Sequence, residues 1–413
     1  MHDCHASPFK GTREEDLMLL LGRTPKALDT ALNAILTEYC PACGRVSESL
    51  VPTDWHLAGG DRVFVREKGV LWGKSTVWPV EWPDSESAAW VALLQQSKTF
   101  DFSHKWGGWR FRVQAQVRHI GSKPLVDLFV RRVPQTLPAQ LRLPRKFMDV
   151  SRDTPRGLVI ISGATGSGKS TTMAMLTKHI LNDPNQEKNG GRHIIEYANP
   201  IEYEHQSGLH TMIRQYELGR DYGSFEQALG EQLLRKDPEI VMPAEIRSPR
   251  AIRGALDAAD TGHLVISTLH LSTAPTVAGR IITDAGPDYA SKLPASLQII
   301  ICQTLVQSRF GGRIAAFEQL AITPSVRTLL NKATESGQLS HVTQGLDSAV
   351  IAPDVRGDSF SMEHSLAALI EHGHLSAEEA YSYAPRQEFF RRSLPDLRKQ
   401  VRNFPGLMDL YRP

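Results

Sequence analysis

Cysteine is scarce: Cys4, Cys40, Cys43 and Cys302 are the only four in 413 residues. They are too few and too unevenly placed for a disulfide framework, in agreement with a reducing compartment. No run approaches the roughly 20 consecutive apolar residues of a membrane-spanning helix. The first twenty residues, MHDCHASPFKGTREEDLMLL, lack the basic-then-apolar layout of a secretion leader. These absences lead to the expectation of a cytoplasmic protein. Net charge is nearly absent too, since 47 Lys plus Arg against 45 Asp plus Glu leave +2. That balance gives no global reason to expect a nucleic acid or an anionic membrane as the main partner. Nor is there aromatic–basic interleaving outside a few arginine segments, which disfavours direct nucleic-acid binding. Internal repeats and low-complexity tracts are missing as well.

What is present is the composition of a globular protein, 41% hydrophobic and 22% charged, with two domains as the prior for this length. Residues 1–50 form a divergent extension in which LMLLL and LDTALNAIL give helical periodicity. Residues 51–134 change to short alternating runs (RVFVREKGVLW, WRFRVQAQV, LVDLFVRRV) with a helix-like interruption at SESAAWVALLQQ, a small α+β domain. A proline-rich stretch, 135–156, reads as a linker that also packs a short helix. From 157 to 323, apolar runs (GLVIIS, HIIEY, EIVMPAE, HLVISTLH, RIAAFEQL) alternate with helix-length segments. This is the α/β pattern of a mostly parallel sheet flanked by helices, with sites at the strands' carboxyl ends. Residues 324–413 read as helical, with a loop at Asp347–Asp358.

Chemistry concentrates in the α/β segment. Gly163, Ala164, Thr165, Gly166, Ser167, Gly168, Lys169, Ser170 and Thr171 follow the strand GLVIIS and open a helix. They match the phosphate loop G-x-x-x-x-G-K-[ST] in residue type and in context. In such a loop the backbone N–H groups curl around phosphates, the lysine reaches the β- and γ-phosphates of ATP, and the hydroxyl ligates Mg²⁺. Lys169 and Ser170 take those two roles. Glu245 ends the apolar run EIVMPAE, where a carboxylate can orient or deprotonate water and touch the Mg²⁺ shell. A solvated strand-end glutamate is the alternative for this residue taken alone.

Two further segments complete an ordered set: HIIEYANPIEY (193–203) and TGHLVISTLH (261–270), the latter a strand with His263 and His270 at its ends. Four motifs in this order resemble the type II/type IV secretion ATPase family of pilus motors, conjugation ATPases and type IVB secretion ATPases. The likeness runs over roughly residues 52–385. It implies a small PAS-like N-terminal domain, a P-loop (RecA-like) ATPase domain and a helical C-terminal region. It further implies Mg²⁺-dependent ATP hydrolysis by a homo-oligomeric ring, a hexamer, working with inner-membrane platform or secretion-complex proteins. His263 and His270 could suggest a metal, but about 23 Å separates them along an extended strand, so separate phosphate-sensing or interface roles fit better and both are counted with the nucleotide site. By the resemblance Glu202 is the acid of the second motif. Arg110, Arg112 and Arg131 match family arginines that stabilise the transferring phosphate, on a domain that opens and closes over each site. Without the loop downstream, these arginines would read as an exposed sheet face.

The sequence also departs from the family. Ala198 and Asn199 stand where a Glu-Asp pair is usual, with Glu196 placed to substitute in part from the same strand face. Ser248 replaces the aspartate that usually closes the Glu245 motif. Fewer acids near Mg²⁺ weaken water positioning, so a nucleotide-binding regulatory subunit with little turnover is the alternative reading. The divergent first 50 residues and the altered second motif favour a plasmid or secretion-system member over a housekeeping pilus retraction motor. Cys40 and Cys43 form a lone C-x-x-C, more often incidental than a zinc site. The basic run Arg386, Arg391, Arg392, Arg398, Lys399 and Arg402 is read as a solvated helix face, with peripheral membrane or platform docking as the alternative.

Overall fold

The structure is a computed structural model that describes residues 54–58, 62–67, 70–77, 99–106, 109–121, 123–133, 137–138, 141–187, 190–218, 221–229, 236–336, 339–352 and 358–412. The expected N-terminal helices, the helix-like segment near Trp90 and the Cys40–Cys43 pair lie outside these residues. The chain divides into two compact units. One holds Met1–Thr136 with Asn199–Tyr203 and Glu217–Gly223; the other holds Leu137–Ala198, Glu204–Tyr216 and Ser224–Pro413.

The first unit carries a six-stranded sheet of β1 (Asp54–Leu57), β2 (Arg62–Glu67), β3 (Val70–Val77), β4 (Thr99–Trp106), β5 (Trp109–Ile120) and β6 (Lys123–Val133), in the order β3-β2-β1-β6-β5-β4. Alternation along β5 and β6 explains its two faces. Phe111, Val113, Ala115, Leu128 and Val130 are buried with Trp55, whose ring meets Phe111 edge-on at 5.6 Å. The opposite row pairs Asp54 with Arg131 and Arg131 with Arg112 across β1, β6 and β5. Asp54 accepts from Arg131 at 2.6 Å, and Glu202 lies 3.8 Å from Arg112, so carboxylates offset two neighbouring guanidinium groups.

The second unit is built on a seven-stranded sheet: β7 (Gly157–Ser162), β8 (Arg192–Ala198), β9 (Thr211–Glu217), β10 (Ile240–Pro243), β11 (Leu264–Leu269), β12 (Leu297–Gln307) and β13 (Arg313–Ala321). Its order is β13-β12-β7-β11-β10-β8-β9. Strands β12, β7, β11, β10 and β8 run parallel, and β13 is antiparallel to β12. Every residue of β7 and β11 is buried, as expected for central parallel strands covered on both faces. Each large aliphatic side chain there contributes about 1.5–3 kcal/mol on burial.

Helices α1 (Arg145–Asp153), α2 (Lys169–Leu181), α3 (Pro249–Asp260) and α4 (Ala274–Ala285) flank this sheet. Helix α1 lies within the stretch expected to link the domains, yet it belongs to the second unit, and Phe147 enters the core beside Val159 and Ile161. The C-terminal helices follow: α5 (Pro324–Ser336), α6 (Leu339–Ile351), α7 (Met362–Glu371), α8 (Ala377–Tyr383), α9 (Gln387–Val401) and α10 (Pro405–Leu410). They share one core with the sheet, since Leu366, Leu369, Phe390, Leu397 and Tyr411 pack with Phe317 and Ile301. The loop expected from Asp347 begins later, because α6 runs on to Ile351 and buries Leu346 and Val350 one helical turn apart. Among the described residues no helix is long and apolar enough to cross a membrane.

Most of the C-terminal basic run is paired. Arg398 and Arg402 both donate to Glu371, and Arg391 donates to Glu388 at 2.7 Å. Arg386 departs from the solvated reading: its guanidinium bridges Glu318 at 2.8 Å, Glu363 at 3.1 Å and Asp347 at 2.6 Å, the two glutamates being fully buried. Its sequence neighbours are surface residues; Arg386 itself ties β13, α6 and α7 together.

Candidate functional site

The carboxyl ends of β7, β11 and β10 lie side by side, and each hands its chain to a polar segment. After β7, residues 163–168 form a tight loop before α2, with Gly163, Gly166 and Gly168 at φ 148°, 79° and 91°. A Cβ at Gly163 would collide with the Gln303 carbonyl and the Ser167 hydroxyl, so only glycine fits there. At Gly166 nothing lies within 4 Å of a Cβ position, which leaves the outer side of the loop open to a ligand. The loop ends at the N-terminus of α2, where unpaired backbone N–H groups favour an anion. Ser170 is exposed there; Lys169 is buried and donates to the carbonyls of Gly163 at 2.7 Å and Ala164 at 3.0 Å.

Lys169 also meets His270, which follows β11, at Nζ–Nδ1 3.2 Å. An ammonium only donates, so Nδ1 accepts and the ring hydrogen sits on Nε2. That nitrogen lies 3.0 Å from Oε1 of Glu245, just past β10. Arg247 grips the same carboxylate with Nη2 on Oε2 and Nε on Oε1, both at 2.8 Å. Burial pushes the Glu245 carboxyl up, but the hydrogen bonds from Arg247 and His270 outweigh it and hold the group below its ordinary range. Glu245 is therefore a carboxylate at neutral pH.

Several positioning groups carry no motif signal. Ser162 Oγ donates to the Leu271 carbonyl at 2.7 Å and accepts from the Leu271 N–H at 2.9 Å, fixing the segment after His270 against the start of the loop. Ser267 and Thr268 of β11 donate to the carbonyls of Pro243 and Ala244 at 2.7 and 2.6 Å, which sets the two residues just before Glu245. Gln303 of β12 donates to the Ser167 carbonyl at 2.6 Å. A buried hydroxyl or amide inside an otherwise apolar strand is the one sequence cue that marks such residues.

The expected site residues divide as follows. Lys169, His270 and Glu245 come together with the loop 163–171. His263 does not: it precedes β11 and bonds through Nδ1 to the Ala258 carbonyl at 3.0 Å, while its own carbonyl accepts from Gly157 at the start of β7. It sits at the amino edge of the sheet, as a histidine about 23 Å along an extended strand from His270 must. Arg110, Arg112, Arg131 and Glu202 belong to the first unit. Glu196 accepts from Gln215 of β9 at 2.5 Å. Ser248 is the N-cap of α3, accepting from the Ala251 N–H at 3.0 Å and donating to Glu226 at 2.7 Å. Among the described residues, no three His, Cys, Asp or Glu side chains group to hold a metal by themselves.

Comparison with known proteins agrees with this geometry. A family profile described as Type II/IV secretion system protein matches residues 145–350. The type IV pilus retraction ATPase PilT of Pseudomonas aeruginosa is 35% identical over 313 residues, 71% of this chain and 85% of that protein. A twitching motility protein of Neisseria gonorrhoeae is 34% identical over 306 residues, 72% of this chain and 75% of its own length. The crystal structure of the pilus retraction motor PilT with bound ADP superposes with a TM-score of 0.69 at 28% identity, covering 87% of this chain and 99% of that one.

Proposed function

The chain belongs to the type II/IV secretion ATPase family and is an ATPase; from that premise we propose that it is a cytoplasmic hexameric ring motor driving a pilus or secretion machine at the inner membrane. The observation that carries the reading is the continuous path from the loop lysine through His270 to Glu245. It links a phosphate-binding group to a carboxylate able to place water. Two relatives of which the chain covers three quarters or more are named as pilus and twitching proteins, which favours a pilus machine over the plasmid or secretion-system member expected from the divergent segments.

In the proposed mechanism the loop backbone and Lys169 bind the phosphates of ATP and neutralise charge as it develops. Glu245, held anionic, orients the attacking water and accepts its proton. By the family's pattern Arg110, Arg112 and Arg131 would stabilise the transferring phosphate and Glu202 would supply the acid of the second motif; within the first unit Glu202 lies 3.8 Å from Arg112 and Asp54 holds Arg131. Ser170 and Glu245 would hold Mg²⁺; an exposed hydroxyl beside the lysine and a carboxylate are the oxygen donors such a hard cation takes. When bound, the ion would neutralise the phosphate oxygens. Inner-membrane platform or secretion-complex proteins would be the partners that receive the displacement.

Steady-state phosphate release with Mg²⁺-ATP, measured beside Lys169→Ala and Glu245→Gln with oligomer mass recorded, tests this. Turnover lost in both variants, in a protein of six-subunit mass, is the expected result. Tight nucleotide binding without phosphate release in the wild type would instead make the chain a regulatory subunit of such a machine.

A further inference from the structure

We propose that Gln303 is a positioning residue of the phosphate loop: from the neighbouring strand β12 its side-chain amide holds the Ser167 carbonyl and so turns the Gly168 N–H into the anion cradle. The inference rests on the nucleotide-site reading above and adds a residue 136 positions away in sequence from its loop partner.

Gln303 is 3% exposed and closes the buried run Ile299–Ile300–Ile301–Cys302 of β12, which pairs with β7 directly below the loop. Its partner is a carbonyl oxygen, so the amide presents Nε2, at 2.6 Å. The Ser167 C=O and the Gly168 N–H belong to one planar trans peptide and point in opposite directions. Fixing the oxygen on the strand side therefore aims the N–H outward, where backbone donors at a helix N-terminus bind phosphate. Gly168 is the N-cap of α2 in the left-handed region at φ 91°. The loop and the glutamine also match in shape. A Cβ at Gly168 would come within 3.1 Å of Gln303 Nε2, and one at Gly163 would strike the Gln303 carbonyl. Gly168 thus leaves room for the Gln303 amide itself, whereas Gly163 leaves room for the backbone of position 303.

Stability alone does not explain an amide here. Among the described residues neither Gln303 Oε1 nor Ser167 Oγ, both buried, has a hydrogen-bond partner. An amide that makes one bond and leaves one acceptor unpaired contributes little net stability, and an apolar side chain of the same length would fill the space. What the amide adds is the direction of a peptide plane.

Gln303→Met in the full-length protein separates the two roles. Expected results are a nucleotide-free melting temperature within a few degrees of wild type and ADP affinity by calorimetry weakened roughly five- to tenfold, the worth of one hydrogen bond. The ADP-induced rise in melting temperature should shrink accordingly. The KM for ATP should rise by a similar factor with kcat little changed, the pattern of lost uniform binding. Gln303→Asn keeps an amide one methylene too short to reach Ser167 and should weaken ADP likewise, which covers a Met variant that folds poorly. Lys169→Ala runs alongside. Unchanged ADP affinity in both Gln303 variants, with Lys169→Ala abolishing binding, would reduce Gln303 to packing. A fall in kcat at constant KM would equally overturn the positioning role. If Lys169→Ala also binds ADP normally, the nucleotide-site reading itself fails and takes this inference with it.

Discussion

Lys169 and His270 meet at 3.2 Å because β11 is the strand between β7, which delivers the lysine, and β10, which delivers Glu245. A parallel sheet brings the ends of adjacent strands together whatever their separation in sequence. The middle strand is therefore the one place from which a single side chain can touch both neighbours. His270 spans that gap with its two ring nitrogens, one accepting from Lys169 and the other donating to Glu245.

Removing that bridge should hurt the chemical step more than binding. His270→Ala leaves the loop intact and frees the Glu245 carboxylate from one of its two holders. We expect kcat to drop roughly tenfold or more, in the range of lost acid–base positioning, while ADP affinity changes little. Phosphate release and ADP titration on the same preparation check this. An ADP affinity that collapses with unchanged kcat would place His270 in the phosphate cradle instead.

Arg247 sets the pH at which Glu245 becomes anionic. Burial pushes the carboxyl up, and the donors from Arg247 and His270 more than reverse it. Arg247→Ala removes the two-pronged donor and leaves the burial, so the Glu245 pKa moves up. Activity that needs the carboxylate is then lost at a higher pH on the acidic side. The acid limb of kcat/KM against pH should shift toward neutrality in the variant, and an unmoved limb would assign it to another group.

The sequence made the loop, Glu245 and His270 legible because each follows an apolar run at a strand's carboxyl end, and strand alternation with helices fixes which end that is. Strand geometry also separates His263 from His270 by about 23 Å, so only the family motif, which takes in both ends of the strand, places His263 with the nucleotide. The sequence could not find Gln303, Ser162 or Thr268. Their roles depend on which strands are neighbours, and the order β12-β7-β11-β10 does not follow the chain. Arg386 was misread for a related reason: in a run of arginines, the partners that bury one of them lie on β13 and α7.

Ser248 stands where an acidic residue near the metal is usual in the family, yet its hydroxyl caps α3 and meets Glu226. Ser248→Ala should therefore lower stability by roughly 1 kcal/mol, the worth of an N-cap, and leave the Mg²⁺ dependence of turnover unchanged. Ser248→Asp keeps a capping acceptor but sets it against the Glu226 carboxylate, so it should not improve on wild type. Denaturant melts beside a Mg²⁺ titration of ATPase rate decide the matter; a gain in Mg²⁺ affinity in Ser248→Asp would return this position to the metal.

Arg386 compensates two carboxylates that water does not reach. Burial raises the Glu318 pKa, and Arg386 opposes that shift. Glu318 also accepts from the Ala274 N–H at 2.6 Å, so the ionic group reaches the first residue of α4, beyond the His270 segment. Arg386→Met keeps the bulk and removes the charge, leaving Glu318 and Glu363 without their shared cation. The expected cost is roughly 3–5 kcal/mol at neutral pH. Its pH dependence distinguishes charge from packing. A buried acid with a raised folded pKa destabilises the fold as pH rises through that value and ceases to do so once protonated. The deficit of Arg386→Met against wild type should accordingly shrink as pH falls from neutrality toward ~5. Groups common to both proteins cancel in that difference, so urea midpoints at the two pH values suffice, and a deficit that stays constant would mean that lost packing, not uncompensated charge, is what the substitution exposes.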